Sequence, residues 1–298
     1  MTNELAIPEP SLVVGSQDDQ SKNLLALAQR EIKDFSASVV KSGGWNNLHE
    51  EHTLRTAALS TTGNTTAGSS IITNIPDTSR ILADIWTCQL NGLDTYASVA
   101  SVDSTTQVTL SQPISDTQTG VEIEFAQDAY ALPSDLEYFA VKTFWDNSFK
   151  WELIGPIAAQ EKQILRYGVI SSGPRRKFYV RKNKMYIHPQ PADDEMLAYD
   201  YYSKNCIESS GGVRQDRWED DTDVYLLDED CFVLGIKWRF LRSKGLDYGQ
   251  EKRDYDDECA RVKARDAGGP RDLPLTGGTY GARFLDGDNI PETGFGGE

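Results

Sequence analysis

The sequence predicts an α+β protein with a helical bundle core, a small β meander, an inserted all-β domain of sandwich type and an extended C-terminal tail. Three observations predict it. Residues 63–125 are dense in Thr, Ser, Val and Ile, and turn signals such as Asn91-Gly92 and Gln112-Pro113 interrupt them. Apolar residues on both sides of that stretch recur at helical spacing. From Gly268 the chain is rich in glycine and carries Pro270, Pro274 and Pro291, too little apolar surface to fold alone. The expected division is residues 1–62 and 128–267 for the core, 63–127 for the inserted domain and 268–298 for the tail.

Each element has a local reason. Residues 1–17, with Pro8 and Pro10, read as an extended arm. A helix starts near Asp19 to Ser21, where polar side chains cap it, and Leu24, Ala28, Ile32, Phe35 and Val39 form one apolar stripe. Gly43-Gly44 ends it, and residues 52–56 suggest a strand. In the inserted stretch Val99, Val102, Val108 and Leu110 belong to short β runs, and Val121, Ile123 and Phe125 alternate with polar residues.

After the insertion, Ser134 with Glu137 three residues on predicts a capping box, hence a second helix with Leu136, Phe139, Ala140, Thr143 and Phe144 facing inward. A third helix is expected from Pro156 to before Gly168. Residues 177–180, 185–188 and 197–202 read as the three runs of a meander, with Asn183 at a tight turn. Asp228 opens a helical hairpin. The first helix, residues 231–241, is apolar over most of its circumference, so it is buried on more than one side. A neighbouring subunit is the expected second cover, through Phe232, Ile236, Trp238, Phe240 and Leu241. The following helix has a narrower stripe at Tyr248, Tyr255, Cys259 and Val262.

The 298 residues carry a formal net charge of −16. Affinity for phosphate comes from Lys and Arg, so most of this surface repels nucleic acid. Cys88, Cys206, Cys231 and Cys259 are scattered singly, which fits free thiols in a reducing cytosol. No run approaches the apolar length of a membrane helix, and no signal peptide is evident, so synthesis in a cytoplasm and no membrane partner are expected.

Few motifs carry chemistry. His49 and His52 are three apart, where a zinc-protease helix needs four. No phosphate-binding glycine loop or nucleophile elbow is present, and no cofactor or catalytic residue is expected. The acidic run Glu219, Asp220, Asp221, Asp223, Asp228, Glu229, Asp230 has three readings: a helix-capping solvated loop, a calcium site without the EF-hand pattern, or a functional negative surface. In the tail, Leu273, Leu275, Tyr280, Phe284, Leu285 and Phe295 are apolar anchors on a chain too polar to fold, a pattern suited to docking on a partner.

Two sets of residues carry a resemblance. Residues 68–113 begin Gly-Ser-Ser-Ile-Ile-Thr-Asn-Ile and later run Val-Ala-Ser-Val-Asp-Ser-Thr-Thr-Gln-Val-Thr-Leu-Ser. They resemble a small β repeat of tailed-phage structural proteins, departing from it at Asp84-Ile85. Outside the insertion stand Gly43-Gly44-Trp45 with Leu48, Glu50-Glu51 and Thr53-Leu54, then Tyr130, Leu132-Pro133-Ser134-Asp135, then Met185-Tyr186-Ile187-His188-Pro189. The last piece is Trp238-Arg239-Phe240-Leu241 with Lys244-Gly245-Leu246-Asp247-Tyr248. In this order they resemble the head-to-tail adaptor proteins of short-tailed bacteriophages, the tail tubular protein A type.

The resemblance implies a structural virion protein of the neck and tail, not an enzyme. It would form a ring, typically of about twelve copies, that joins the portal protein to the tail nozzle protein and continues the DNA channel for genome ejection. The tail anchors would then dock on the portal. Glu219, Asp220, Asp221 and Asp223 would be candidates for a channel wall past which DNA moves without tight binding. Another neck, nozzle or fibre-base subunit is the alternative, and a carbohydrate-active enzyme with a β module is a third.

Overall fold

The computed structural model describes residues 10–38, 44–90, 97–140, 142–167 and 176–266. In chain order α1 (Asp19–Ser36) is followed by a 3-10 turn at Asn46–Leu48, β1 (His49–Arg55), β2 (Ala58–Thr65), β3 (Ile71–Ile72), β4 (Trp86–Leu90), β5 (Ala97–Ser104), β6 (Gln107–Leu110) and β7 (Gln118–Gln127). Next come β8 (Ala129–Ala131), β9 (Leu136–Phe139), β10 (Trp145–Asp146), β11 (Trp151–Glu152), α2 (Ala159–Tyr167), β12 (Lys177–Arg181), β13 (Lys184–His188) and β14 (Met196–Ser203). The chain continues through β15 (Ile207–Glu208), β16 (Arg214–Gln215), β17 (Val224–Tyr225), α3 (Glu229–Ser243) and α4 (Gly249–Asp266).

A helical bundle core is not what the chain builds. About 35% of the structure is strand and about 26% helix, and four antiparallel sheets carry most of the architecture. Only α1, α3 and α4 pack together. The middle of the molecule is instead a five-stranded sheet, in the order β1-β14-β10-β11 with β9 also on β14. Its register runs from His49 opposite Tyr202 to Arg55 opposite Met196. Alternation along β14 buries Leu197, Tyr199 and Tyr201 in a core with Phe144, Phe178, Met185 and Ile187.

The helix expected from Ser134 is a strand. Tyr138 lies opposite Tyr202 and Phe139 opposite Tyr201, and the Tyr138 and Tyr202 rings stack at 4.8 Å. Cross-strand aromatic pairing outweighs the local capping signal. The helix expected from Pro156 begins later, at Ala159. The meander also fails at its third run. The edge of β13 is taken by β8, with Lys184 opposite Ala131 and Tyr186 opposite Ala129, and β14 joins the other sheet.

Residues 58–127 form a six-stranded sheet in the order β2-β7-β4-β5-β6-β3. A bridge between Asn64 and Thr73 brings the two end strands together, so the sheet nearly closes into a barrel rather than a sandwich. Its interior is its own: Ile72, Trp86, Cys88, Val99, Val108, Leu110, Ile123 and Phe125 are buried in one cluster. Gly63 is required there, since a Cβ would come within 2.8 Å of Ile123 and 2.9 Å of Ile72 side chains. The strand pairing begins at Ala58, five residues before the expected boundary at 63.

Candidate functional site

The tail residues Leu273, Leu275, Tyr280, Phe284, Leu285 and Phe295 lie outside the described residues. The acidic loop and the apolar helix are described, and both depart from expectation.

The acidic loop joins β16 to β17 and is folded by its own carboxylates. Asp223 points inward and is 8% exposed. Its Oδ2 accepts from Gln215 Nε2 at 2.6 Å and from the backbone N–H of Glu219 and Asp220 at 2.8 and 2.9 Å. That burial removes Asp223 from any wall. Asp220 accepts from the N–H and hydroxyl of Thr222, and these bonds, the backbone one first, hold its carboxyl below the ordinary aspartate value. Asp221 accepts from the N–H groups of Val13 and Val14 at 2.9 and 2.7 Å, pinning the N-terminal arm. Glu219, Asp220 and Asp221 remain exposed, so the loop still presents negative charge. Asp228 caps α3 through Cys231 N–H at 3.0 Å and receives Arg265 at 2.9 Å.

The apolar helix is covered on both sides by its own chain. Ile236 and Phe240 pack on Leu24, Leu27 and Ala28 of α1, with Phe232 alongside. Trp238 lies against Tyr248 and Tyr255, with Arg239, Arg242 and Lys252 around its ring. Leu241 is half-buried. The double burial that suggested a neighbouring subunit is therefore supplied by α1 and α4.

Several quoted motif residues meet in one joint. A Cβ at Gly44 would stand 2.3 Å from the Tyr202 ring and 2.5 Å from the Tyr138 hydroxyl, so only glycine allows this approach. The Tyr201 hydroxyl lies 3.0 Å from Glu50 Oε2 and 3.1 Å from Asp135 Oδ2. Burial first, then these carboxylates, push its ionisation well above the usual phenol value. Ser203 donates to Asp135 at 2.7 Å, and Arg214 to Glu50 at 2.8 Å. His49 and His52 sit on opposite faces of β1, their rings tilted against those of Tyr202 and Tyr199 respectively. No three His, Cys, Asp or Glu side chains converge as a metal set among the described residues.

A cleft of about 240 Å³ opens where the barrel meets the β12–β13 hairpin. Asp84, Trp86, Thr87 and Ser98 form one wall, and Tyr179, Arg181, Tyr186 and His188 form the other, with Lys162 of α2 between. The hairpin register makes three rows on this face: Lys177 with His188, Tyr179 with Tyr186, and Arg181 with Lys184. The two tyrosine rings are parallel within 2° at 4.9 Å, and Lys162 Nζ lies 4.8 Å from the Tyr179 centroid. Sequence reasoning missed this cleft because its residues come from distant segments. The available signal was the run of cations around Tyr179 over residues 175–184, unusual in so acidic a chain.

No protein-family model matches this chain, and a search of curated proteins found no match.

Proposed function

We propose that the chain is a structural virion subunit. It assembles into a ring of about twelve copies that joins the portal to the tail and continues the DNA channel. The observation that carries this reading is an exposed aromatic edge among the described residues. Strand β11 ends the five-stranded sheet, and it leaves Trp151 49% exposed with Phe149 beside it at 59%. An aromatic edge strand left open invites another chain to pair with or cover it. The joint built from Gly44, Glu50 and Asp135 supports the same reading, because residues of separate motif pieces serve one scaffold. The portal and the tail nozzle are the proposed partners, and the neck of the virion the proposed location. Among the described residues no helix is long and apolar enough to cross a membrane.

The deciding measurement is particle mass in solution. A ring of about twelve supports an adaptor, a trimer points to a fibre-base subunit, and a monomer at all concentrations refutes the proposal. Removing residues 268–298 is expected to leave the ring intact and weaken its hold on portal rings. Equal portal binding by the truncated chain would show that the tail does not dock there.

A further inference from the structure

The turn of the β12–β13 hairpin carries three cations, Arg181, Lys182 and Lys184. Lys182 and Asn183 have φ of 49° and 56°, a two-residue turn that sets Arg181 directly opposite Lys184. Like charges directly opposite each other on a hairpin are destabilising. Among the described residues no carboxylate pairs with Arg181, Lys182 or Lys184. Neighbouring cations are matched: Lys177 with Glu161, Arg55 with Asp194, and Arg80 with Asp193. In a chain of net charge −16, carboxylates are not scarce.

The barrel has the opposite imbalance. Residues 58–127 contain no lysine and a single arginine, Arg80, which is tied to Asp193. Glu122 and Glu124 stand exposed on one outer face of β7, opposite Thr62 and Ser60 of β2. No described cation pairs with either.

We infer that the hairpin of one copy docks on the barrel face of a second copy, with Arg181 and Lys184 meeting Glu122 and Glu124. The inference rests on the ring reading and names the contact that would build it. The two glutamates are roughly 7 Å apart along their strand, and the two cations roughly 5.5 Å apart across theirs, within reach of four long side chains. Because the two surfaces differ, every docked copy still offers one of each. Such a head-to-tail contact propagates, and it closes into a ring where the rotation between copies permits.

The test is a charge swap in the full chain, read by the concentration at which rings form. Arg181→Glu with Lys184→Glu should raise that concentration at least about tenfold, as should Glu122→Lys with Glu124→Lys. All four changes together should restore it to within about threefold of the unaltered chain, which also shows that the altered chains fold. The neutral pair Arg181→Gln and Lys184→Gln should weaken assembly and flatten its salt dependence. If the unaltered chain forms rings and the charge-reversed hairpin forms them equally well, the contact is wrong while the ring stands. Reversed chains that both lose assembly without recovery in the fourfold variant overturn it too. So does a hairpin variant that loses only DNA retention, with phosphate then the partner. An unaltered chain that stays monomeric removes the ring reading and this contact together.

Discussion

Gly235 of α3 lies against the carboxylate of Glu31 on α1: a Cβ at residue 235 would stand 2.2 Å from Glu31 Cδ. Glu31 is fully buried and paired with Arg239, whose guanidinium also donates to Gly235 O at 3.1 Å and Asp34 Oδ2 at 2.9 Å. The missing side chain at 235 is thus the space in which an ion pair is held between two helices. Burial lowers the Arg239 pKa.

Glu31→Ala should therefore destabilise the chain by about 3–5 kcal/mol, since it leaves the buried Arg239 with only the half-exposed Asp34 as a carboxylate partner. Gly235→Ala should cost a comparable amount by pushing Glu31 out of place. Replacing Glu31 and Arg239 together with methionine should recover most of the loss. Urea unfolding followed by circular dichroism measures all three, and a Gly235→Ala chain with unaltered midpoint would show that the helices are not this close.

Alkaline pH offers a second check. Burial pushes the phenols of Tyr130, Tyr199, Tyr201 and Tyr225 well above their ordinary value. Their folded pKa exceeds the unfolded value near 10. The stability they contribute is complete below about pH 10 and is lost as pH rises through the folded pKa. Absorbance at 295 nm should then show exposed tyrosines ionising first, and the buried ones only together with loss of ellipticity. A single smooth titration centred near pH 10 with the fold intact would contradict the burial.

Much of this architecture was readable where the signal is local. Asp18 and Asp228 cap α1 and α3 by accepting from the N–H three residues on, as polar residues before an apolar run should. Asn183 sits in the turn expected of it. Residues 134–144 failed for a nonlocal reason: Ser134 and Glu137 imitate a capping box, but Tyr138 and Phe139 gain more by pairing with Tyr202 and Tyr201. The bundle failed likewise, because β1 and β14 are separated by nearly half of the chain and only their pairing reveals the central sheet. The acidic loop was visible as charge. Which carboxylate turns inward was not, since Gln215 and the loop backbone choose Asp223. The cleft beside Tyr179 needed the barrel in place before it could be seen.

The barrel's ends set a further expectation. Gln127 N–H donates to Ala57 O at 2.8 Å, so the chain leaves and re-enters the remainder of the molecule at one point. Removing residues 58–127 and joining 57 to 128 through two glycines should leave a folded remainder, since the barrel has its own core. Cutting at 63 instead would strand the first half of β2 without β7 and promote aggregation. The link from Arg80 to Asp193 would be lost, a surface pair of small worth. Circular dichroism and sedimentation check this, and an unfolded remainder would show that the barrel supports the central sheet.

The acidic loop yields the last expectation. Asp223 holds the loop together and is unsuitable for a charge test, because Asp223→Lys would break three hydrogen bonds and bury a cation. Asp221 is engaged with Val13 and Val14. Glu219 is exposed, and the hydrogen bonds of Asp220 lie within its own turn, so these two can be reversed with the fold retained. If the chain forms the proposed ring and this loop faces its channel, Glu219→Lys with Asp220→Lys adds several positive charges around a narrow bore. Screening confines each charge to roughly 8 Å, a distance that DNA in a narrow channel would come within. The assembled ring should then retain duplex DNA in a salt-sensitive way, and genome exit should slow. A control at Asp254 and Asp257 on the outer face of α4 should leave both unchanged. Normal ejection and no DNA retention at low salt by the loop variant would place this loop on the outside of the ring.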